Sequence, residues 1–386
     1  MDAAENEMRN HNFAEKWPQL GVIRGTVYNQ ETGLTGMIDA LFPYVAATFA
    51  AFYAQFWRVL AYPVTSGQRV FWLYLLSSMV FAYWVYVRRS KASGNSPRSL
   101  RSFATFLFPK EVWSHSSAWL DVRYFFFHQV LGKLLYVIVI AIILNGTFQW
   151  VTGGPNLVKA TQTVPSPTWV SFVVSFGYMI VVIAIVDFVA YILHYLQHKV
   201  PILWEFHKVH HSAEVMHPLS NYREHPIDNI AYAVGTGAAF GAMMGLANNY
   251  FGYLPSMPEI LGVPLILFLF NIAGYNLRHS HVWLRWPGRL SMIFPSPAHH
   301  HVHHSRHPDH LDKNFAFVFP MWDVLFRTYH MPESDKDVEF GLYGQQGESE
   351  YSSCWRLYYI PFRNIAAKQR AAPKSKDDNA PSNPKA

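Results

Sequence analysis

Histidines recur in this sequence at spacings that let several imidazoles share one metal ion. His194 and His198 are four residues apart in a stretch with a helical apolar rhythm. Residues i and i+4 lie on one helix face with their Cβ atoms about 5–6 Å apart, close enough for both rings to bind one ion. The pair therefore predicts one edge of a metal site.

Two later segments repeat a triplet spacing of i, i+3, i+4 and share the letters His-x-Val-His-His-Ser. The triplets are His207, His210, His211 and His300, His303, His304. The alternatives are structural histidines and, for the second triplet, a zinc-buffering tract. Clustering so many potentially cationic rings without a metal is costly when they are partly buried, and a buffering tract has no matched partner upstream. The repeated spacing favours metal binding.

Eight imidazoles suit two metals better than one, because a catalytic zinc uses three protein ligands and a structural zinc four. Imidazole binds iron, copper, nickel and zinc, so the ligand type leaves the metal open. A hydrolytic zinc enzyme is expected to carry a carboxylate base within its motif, and none of the three motifs has one between its histidines. The single cysteine, Cys354, excludes a thiolate-rich site.

Asp187 is a carboxylate that the spacing places on the same helix face as the first histidine pair. It precedes His194 by seven residues and falls on the same helix face two turns earlier. We expect it to accept the second ring N–H of a ligand histidine and so fix its tautomer.

The segments that carry the histidines are set among long apolar runs. Of the 386 residues, 51% are hydrophobic and 15% charged, against about 25% charged in soluble domains. Four runs approach the ~20 residues of a membrane-crossing helix: Ala40–Trp57, Val70–Val87, Leu134–Val151 and Trp169–Val186. Two more, Asn229–Ala247 and Ile260–Leu277, are expected to span, re-enter or pack inside the protein.

The predicted fold class is all-α: a multi-pass membrane bundle of about four spanning helices plus a helical hairpin over 229–277, with a histidine-rich cap. The predicted parts are a cytoplasmic segment 1–36, membrane helices 37–186, a catalytic histidine region 187–333 and a C-terminal segment 334–386 that is disordered from about 368. The net charge of +6 lies largely in membrane-proximal loops and this tail, and predicts no nucleic-acid partner.

Basic residues predict which side of the membrane the histidines face. Lys and Arg accumulate in short cytoplasmic loops. Eight of them lie between the second and third runs, whereas the turn Pro63–Arg69 has one and Thr152–Thr168 has one. Counting crossings from that loop puts the N-terminus and the histidine region on the cytoplasmic side, in the endoplasmic reticulum or a bacterial inner membrane. Met1–Gly36 shows no signal peptide, so the first helix would target the chain.

At these residues the sequence resembles the fatty acid hydroxylase/sterol desaturase superfamily, whose pattern is His-x3–4-His, His-x2-His-His and a final His-x2-His-His. The resemblance covers roughly Asp187 to Glu333. It includes the flanks of the motifs, which are Leu203-Trp-Glu-Phe-His-Lys-Val-His-His-Ser212, Pro297-Ala-His-His-His-Val-His-His-Ser305, Asp312-Lys-Asn314 and Trp322-Asp-Val-Leu-Phe-Arg-Thr328.

The resemblance implies a helical membrane enzyme with two iron ions that uses O2 and external electrons to oxidise a lipid. The implied metal ligands are His194, His198, His207, His210, His211, His300, His303 and His304. Arg278-His279-Ser280-His281 resembles a segment that adds His279 as a ninth ligand, with His281 where asparagine is usual. Arg223-Glu-His225-Pro226 resembles another family segment and implies a supporting role for His225. The sequence leaves His217, His299, His301, His307 and His310 as solvated loop histidines.

The predicted function is O2-dependent hydroxylation or desaturation at a C–H bond of a sterol or fatty acyl lipid. An alkylglycerol-type ether-lipid monooxygenase is the alternative within this class. A non-catalytic zinc- or sterol-binding membrane protein is the alternative of another class. The sequence contains no haem-binding segment, glycine-rich dinucleotide fingerprint or iron–sulfur cysteines, so a redox protein or reductase is expected to dock on the basic face.

Overall fold

The computed structural model describes residues 34–94, 99–154, 157, 168–344 and 349–371. The described chain is mostly helical. The fourteen α-helices used below are α1 (Leu34–Leu60), α2 (Trp72–Ala92), α3 (Leu100–Leu107), α4 (Lys110–Trp113), α5 (Ser116–Leu131), α6 (Lys133–Thr152), α7 (Trp169–Lys199), α8 (Pro201–His211), α9 (Pro226–Phe251), α10 (Leu265–Ile272), α11 (Leu290–Ile293), α12 (Pro297–His304), α13 (Met321–Leu325) and α14 (Cys354–Ala371). Four short 3-10 helices are Tyr62–Val64, Pro218–Tyr222, Tyr275–His279 and Pro308–His310.

Contacts divide the chain into two units, Met1–Tyr53 and Ala54–Ala386. Of the first unit the structure describes only the part of α1 that begins at Leu34. The features below all belong to the second unit.

Two of the described helices, α7 and α9, are long and apolar enough to cross a membrane. With 31 and 26 residues, they are about 47 and 39 Å long, more than the ~30 Å hydrocarbon core of a bilayer. The helices α5 and α6, bent by 50°, would make a third span if they act as one. All four predicted runs are helical, but among the described helices α2 does not meet this standard.

The composition of α2 explains its failure as a span. It interrupts its apolar residues with two serines, several Tyr and Trp residues, and the pair Arg88 and Arg89 near its end. Trp72, Tyr83 and Trp84 are exposed. Such amphipathic aromatic rings are typical of the membrane interface rather than of its centre.

The helix α9 packs closely along α6 through glycines spaced one turn apart. Gly237, Gly241 and Gly245 all face α6, and a Cβ at Gly241 would collide with the carbonyl group of Leu144. Small residues at this spacing let two helix backbones approach each other in a membrane. The glycines of the Asn229–Ala247 run therefore serve helix packing, and this run forms the middle of α9.

The second run of the predicted hairpin is not one helix. A two-stranded antiparallel pair, β1 (Glu259–Ile260) and β2 (Val263–Pro264), is followed by α10 and then the 3-10 helix Tyr275–His279. With eight residues, α10 is too short to cross a bilayer. Pro264 lies at its start, as expected for a residue that cannot sit inside a helix.

The helix α14 runs further than the sequence suggested. It continues to Ala371, past Lys368, where the disordered tail was predicted to begin. Lys368 bonds through Nζ to the buried carboxylate of Glu205 at 2.6 Å, which ties α14 to α8. The remainder of the tail and residues 1–33 lie outside the described part of the chain.

Candidate metal centre

Helices position eight of the nine predicted ligands at helical spacing. His194 and His198 end α7, and Pro201 then starts α8 with its fixed φ at the first helical position. The first triplet, His207, His210 and His211, lies in α8, and the second, His300, His303 and His304, lies in α12. His279 ends the 3-10 helix Tyr275–His279.

The nine histidines form two groups, in each of which the possible ligand nitrogens all lie within 4.8 Å of one another. The first group is His194, His198, His207, His211 and His303, and the second is His210, His279, His300 and His304. The groups are neighbours, because the rings of His211 and His304 stack with centroids 4.4 Å apart. Helical spacing brings each motif together, and the packing of the helices then brings the motifs together.

The inner ring nitrogens of the first group lack protein partners. The Nε2 atoms of His198, His207, His211 and His303 are buried without a hydrogen bond. Buried polar atoms are almost always satisfied, so four unpartnered nitrogens within one small volume indicate a shared ligand. In the second group, Nε2 of His300 lies 2.9 Å from Nε2 of His279 and 3.0 Å from Nε2 of His304. Both groups fit a metal ion.

The outer ring nitrogens are held by the protein backbone. Nδ1–H of His194 donates to the carbonyl of Phe315 at 2.7 Å, and that of His303 to the carbonyl of Lys313 at 2.9 Å. His210 donates in the same way to Arg223 at 3.2 Å. A donating Nδ1 fixes the tautomer whose Nε2 lone pair is free for a metal.

Two carboxylates and a hydroxyl lie beside the outer nitrogens of three further histidine rings. Oδ2 of Asp228 lies 3.3 Å from Nδ1 of His207, and Oδ1 of Asp312 lies 3.4 Å from Nδ1 of His198. Ser220 Oγ lies 2.9 Å from Nδ1 of His279. Sequence reasoning missed all three. The available signal for Asp228 was its place in the first turn of the helix that begins at Pro226.

The supporting role predicted for Asp187 is wrong. Its carboxylate accepts bonds from the backbone N–H groups of Val318 and Phe319 and from Nε1 of Trp322, each at 3.0–3.1 Å. Asp187 thus anchors the segment that follows the last histidine motif, and it does not orient a histidine ring. Asp187 lies on the predicted helix face, but the loop that contains Val318 and Phe319 occupies its carboxylate.

His225 also lies away from both histidine groups. Its Nδ1 accepts the N–H of Ile227 at 3.1 Å, and its Nε2–H donates to the carbonyl of Tyr358 at 3.0 Å. It caps the start of α9 and contacts α14. The predicted support for a metal ligand from His225 is therefore wrong, and the role belongs to Asp228 three residues later.

Burial favours the neutral form of His210 and His303, two imidazoles of the site. Burial, reinforced by the neighbouring His207, lowers the pKa of His210 to about 3. Burial also lowers the pKa of His303 to about 3. A neutral ring keeps the lone pair that a metal requires, so both rings can bind a metal cation at neutral pH.

Four histidines predicted to be solvated are buried outside the two groups. His217 pairs with Asp121 at 3.1 Å, His299 contacts Ser296 and Tyr329, and His301 donates to the carbonyl of Leu277 at 2.9 Å. Nδ1 of His310 lies 2.9 Å from Oγ of Ser305. Of the five histidines predicted to be solvated, only His307 is half-exposed. Nε2–H of His281 donates to the carbonyl of Phe106 at 2.7 Å, which directs it away from the site.

One contact overturns the predicted count of membrane crossings. The turn Pro63–Arg69 was expected on the membrane face opposite the histidines. Arg69 Nη1 instead donates to Glu224 Oε1 at 2.8 Å, and both side chains line the same small cavity as His194 and His210. Because a bilayer core is ~30 Å thick, this turn is not across the membrane from the site.

The comparisons with known proteins agree with this geometry. The family model for fatty acid hydroxylase matches residues 179–328, which include all nine histidines. This region is thus similar to a fatty acid hydroxylase domain, and the match supports the resemblance to the fatty acid hydroxylase/sterol desaturase superfamily.

Among individual relatives, the chain is 31% identical to the alkylglycerol monooxygenase of Danio rerio over 45% of this chain and 35% of that protein. It is 32% identical to the human alkylglycerol monooxygenase over 41% of this chain and 31% of that protein. It is 29% identical to an ornithine lipid hydroxylase of Rhizobium tropici over 42% of this chain and 45% of that protein. The match thus spans less than half the length of these relatives. No solved structure matches the chain significantly.

Proposed function

We propose that this protein is an iron-dependent membrane monooxygenase that hydroxylates a C–H bond of a lipid. The observation that carries the proposal is the pair of neighbouring histidine groups, whose inner nitrogens converge and, in the first group, include four buried nitrogens without a hydrogen-bond partner. The relatives named monooxygenase or hydroxylase support an oxidoreductase with a lipid substrate.

The nine histidines would hold two iron ions, five ligands around one and four around the other. When bound, iron supplies the redox chemistry with O2 that imidazoles alone cannot perform. In the overall reaction one oxygen atom enters the C–H bond and the other becomes water, with two electrons and two protons from an external donor. The protein residues keep the rings neutral, orient them through their outer nitrogens and exclude bulk water from the site.

The site is proposed to face the cytoplasm, on grounds that do not need a count of crossings. The basic segment between α2 and α6 contacts the histidine region directly: Asp121 pairs with His217 at 3.1 Å, and Tyr124 donates to the carbonyl of Glu224 at 2.7 Å. This segment holds the excess of Lys and Arg that marks cytoplasmic loops. An endoplasmic reticulum or bacterial inner membrane suits this orientation.

An ether lipid is the second candidate substrate, because alkylglycerol monooxygenases of four animals are among the relatives. Oxygen insertion at the carbon bonded to an ether oxygen gives a hemiacetal, which breaks down to an aldehyde and an alcohol. Release of fatty aldehyde from a 1-O-alkylglycerol, with O2 and a reductant, would therefore identify this activity. Hydroxylation of sterols or acyl lipids without aldehyde release would favour the first candidate.

Metal analysis of the detergent-purified protein tests the proposal. We expect about two irons per chain, and we expect His210→Ala to lose iron and turnover while the protein still inserts into the membrane. His307→Ala is the matched control, because His307 is half-exposed and belongs to neither group. Stoichiometric zinc together with no lipid-dependent O2 consumption would refute the proposal.

A further inference from the structure

Three adjoining cavities lead from the histidines into the membrane helices. The metal cavity, of about 100 Å³, is lined by His207, His210 and His300 among others. The polar chamber, of about 290 Å³, shares Arg69, Glu224, Asn229, Tyr232 and Phe317 with it. The tail cavity, of about 380 Å³, shares Ala190 and Thr236 with the polar chamber. Because each neighbouring pair has walls in common, the three form one series.

The series runs along α7 and α9. On α7 it passes from His194 through Ala190 to Val182, and on α9 from Asp228 through Thr236 to Phe240. The ends of each stretch are twelve residues apart, about 18 Å along the helix. These are the two helices that meet the length and composition of membrane spans, so the far end of the series lies at the depth of lipid chains.

The linings of the two larger cavities differ in chemistry. The tail cavity is walled mainly by aliphatic and aromatic side chains such as Ile183, Phe240 and Leu267. Its one carboxylate, Asp187, is occupied by the backbone of Val318 and Phe319. The cavity therefore offers an apolar ligand its largest favourable contact.

The polar chamber lies between the tail cavity and the metal cavity. It contains the ion pair of Arg69 with Glu224 at 2.8 Å, together with the side chains of Gln129 and Asn229. An alkyl chain laid against these groups would take water from them and return no hydrogen bonds, which is costly. Hydroxyl or amide groups of a ligand would replace that water. Because Arg69 is already neutralised by Glu224, the chamber suits an uncharged polar group better than a phosphate.

We infer that the lipid lies with its alkyl or acyl chain in the tail cavity and an uncharged hydrogen-bonding group in the polar chamber. This inference rests on the proposed function. It places the oxidised carbon at the polar end of the lipid, within a few bonds of that group, and not at the end of the chain. Ala190 and Thr236 then form the neck through which the chain passes, and they set the chain length that the enzyme accepts.

A larger apolar cavity of about 500 Å³ offers the competing location. It is lined by Leu75, Met79 and Phe126 among others, and none of the nine histidines reaches its wall. A chain placed there would leave its polar end separated from the metal cavity by the 3-10 helices Pro218–Tyr222 and Tyr275–His279. Ser78, a small buried residue on its wall, supplies a matched control.

The test uses 1-O-alkylglycerols from octyl to octadecyl as probes of both turnover and binding. We expect Ala190→Leu to lower kcat/KM for the long chains by about tenfold or more, to spare the octyl compound, and to retain full iron. Ser78→Leu should leave the chain-length profile as in wild type. Should Ala190→Leu lose iron through misfolding, Thr236→Leu narrows the same neck from α9.

Uniform loss across chain lengths in neck variants that retain iron, or a shift caused by Ser78→Leu, would overturn the inference. So would a product with the new oxygen at the end of the chain, seen by mass spectrometry. Thermal stabilisation by the same lipids reports binding without turnover. Length-dependent stabilisation that the neck variant abolishes, without oxidation by wild type, would leave the inference standing and refute the ether-lipid candidate. The proposed function itself would fall only if the protein also held zinc and consumed no O2 with any lipid.

Discussion

Individual residues of the metal centre divide into those that helical spacing specifies and those that tertiary packing specifies. Eight of the nine histidines were predictable from spacing, because i, i+3 and i+4 positions share a helix face whatever surrounds it. His279 was expected only from the family resemblance. The outer partners of the rings were not predictable, since Asp228 and Asp312 come from other segments and reach the rings only after the helices pack. Asp187 shows the limit: it has the correct spacing from His194 but binds a loop from 131 residues further along.

Asp228→Asn tests the best placed of these partners. The carboxylate charge fixes the tautomer of His207 and raises the basicity of that ring as a ligand. Replacing the carboxylate with an amide removes both effects. We expect roughly 10–100-fold weaker iron retention, measured by competition with a chelator. Asp187→Asn is the control, because its carboxylate bonds to Val318, Phe319 and Trp322 and not to a histidine ring, and it should retain iron as wild type does. Equal iron loss in both variants would contradict the role of Asp228.

Helices are the elements that the sequence predicted best. Long apolar runs and local histidine spacing predicted α7, α8, α9 and α12 because helix formation depends on residues a few positions apart. Replacement of the second half of the predicted hairpin by strands and α10 was not predictable from apolarity alone. An apolar run that is buried in protein has the same composition as one that faces lipid, so composition does not distinguish them.

Gly241→Ala tests the close packing of α9 on α6. The added methyl would meet the Leu144 carbonyl, so the two helices must separate. We expect the protein to be destabilised by about 1–3 kcal/mol, read as a lower midpoint of thermal unfolding in detergent. Gly177→Ala on α7 is the matched control, since a Cβ there meets nothing within 4 Å. An unchanged midpoint for Gly241→Ala would show that the helices are not in close contact.

At the scale of the whole molecule, the proposed cytoplasmic side of the site rests on charge and not on the number of crossings. Counting treats every apolar run as a span, and the contact of Arg69 with Glu224 shows that this fails for the turn between α1 and α2. The basic segment, by contrast, contacts the histidine region through Asp121 and Tyr124. Arg89 pairs with Asp335, and the other exposed cations of this segment and of the adjoining end of α2 include Arg88, Lys91, Arg101, Lys110 and Arg123.

These exposed cations predict how electrons arrive. An acidic donor would be attracted to them, and salt would screen that attraction over a Debye length of about 8 Å at physiological ionic strength. We expect turnover with such a donor to fall as salt rises, and the double variant Arg101→Glu, Lys110→Glu to raise the KM for the donor while the lipid KM stays constant. Salt-independent donor kinetics in wild type would rule out this docking face.

The scattering of the ligands along the chain also sets an order of events in time. Three of the nine ligands, His300, His303 and His304, come last, after α7 and α9 have been made. A chain emerging from the ribosome therefore holds only six of them until its second triplet appears, and neither group is complete before that point. If the protein holds iron as proposed, we expect metal loading to be a late step of biogenesis that follows membrane insertion, and a cell starved of iron to accumulate an inserted but inactive precursor.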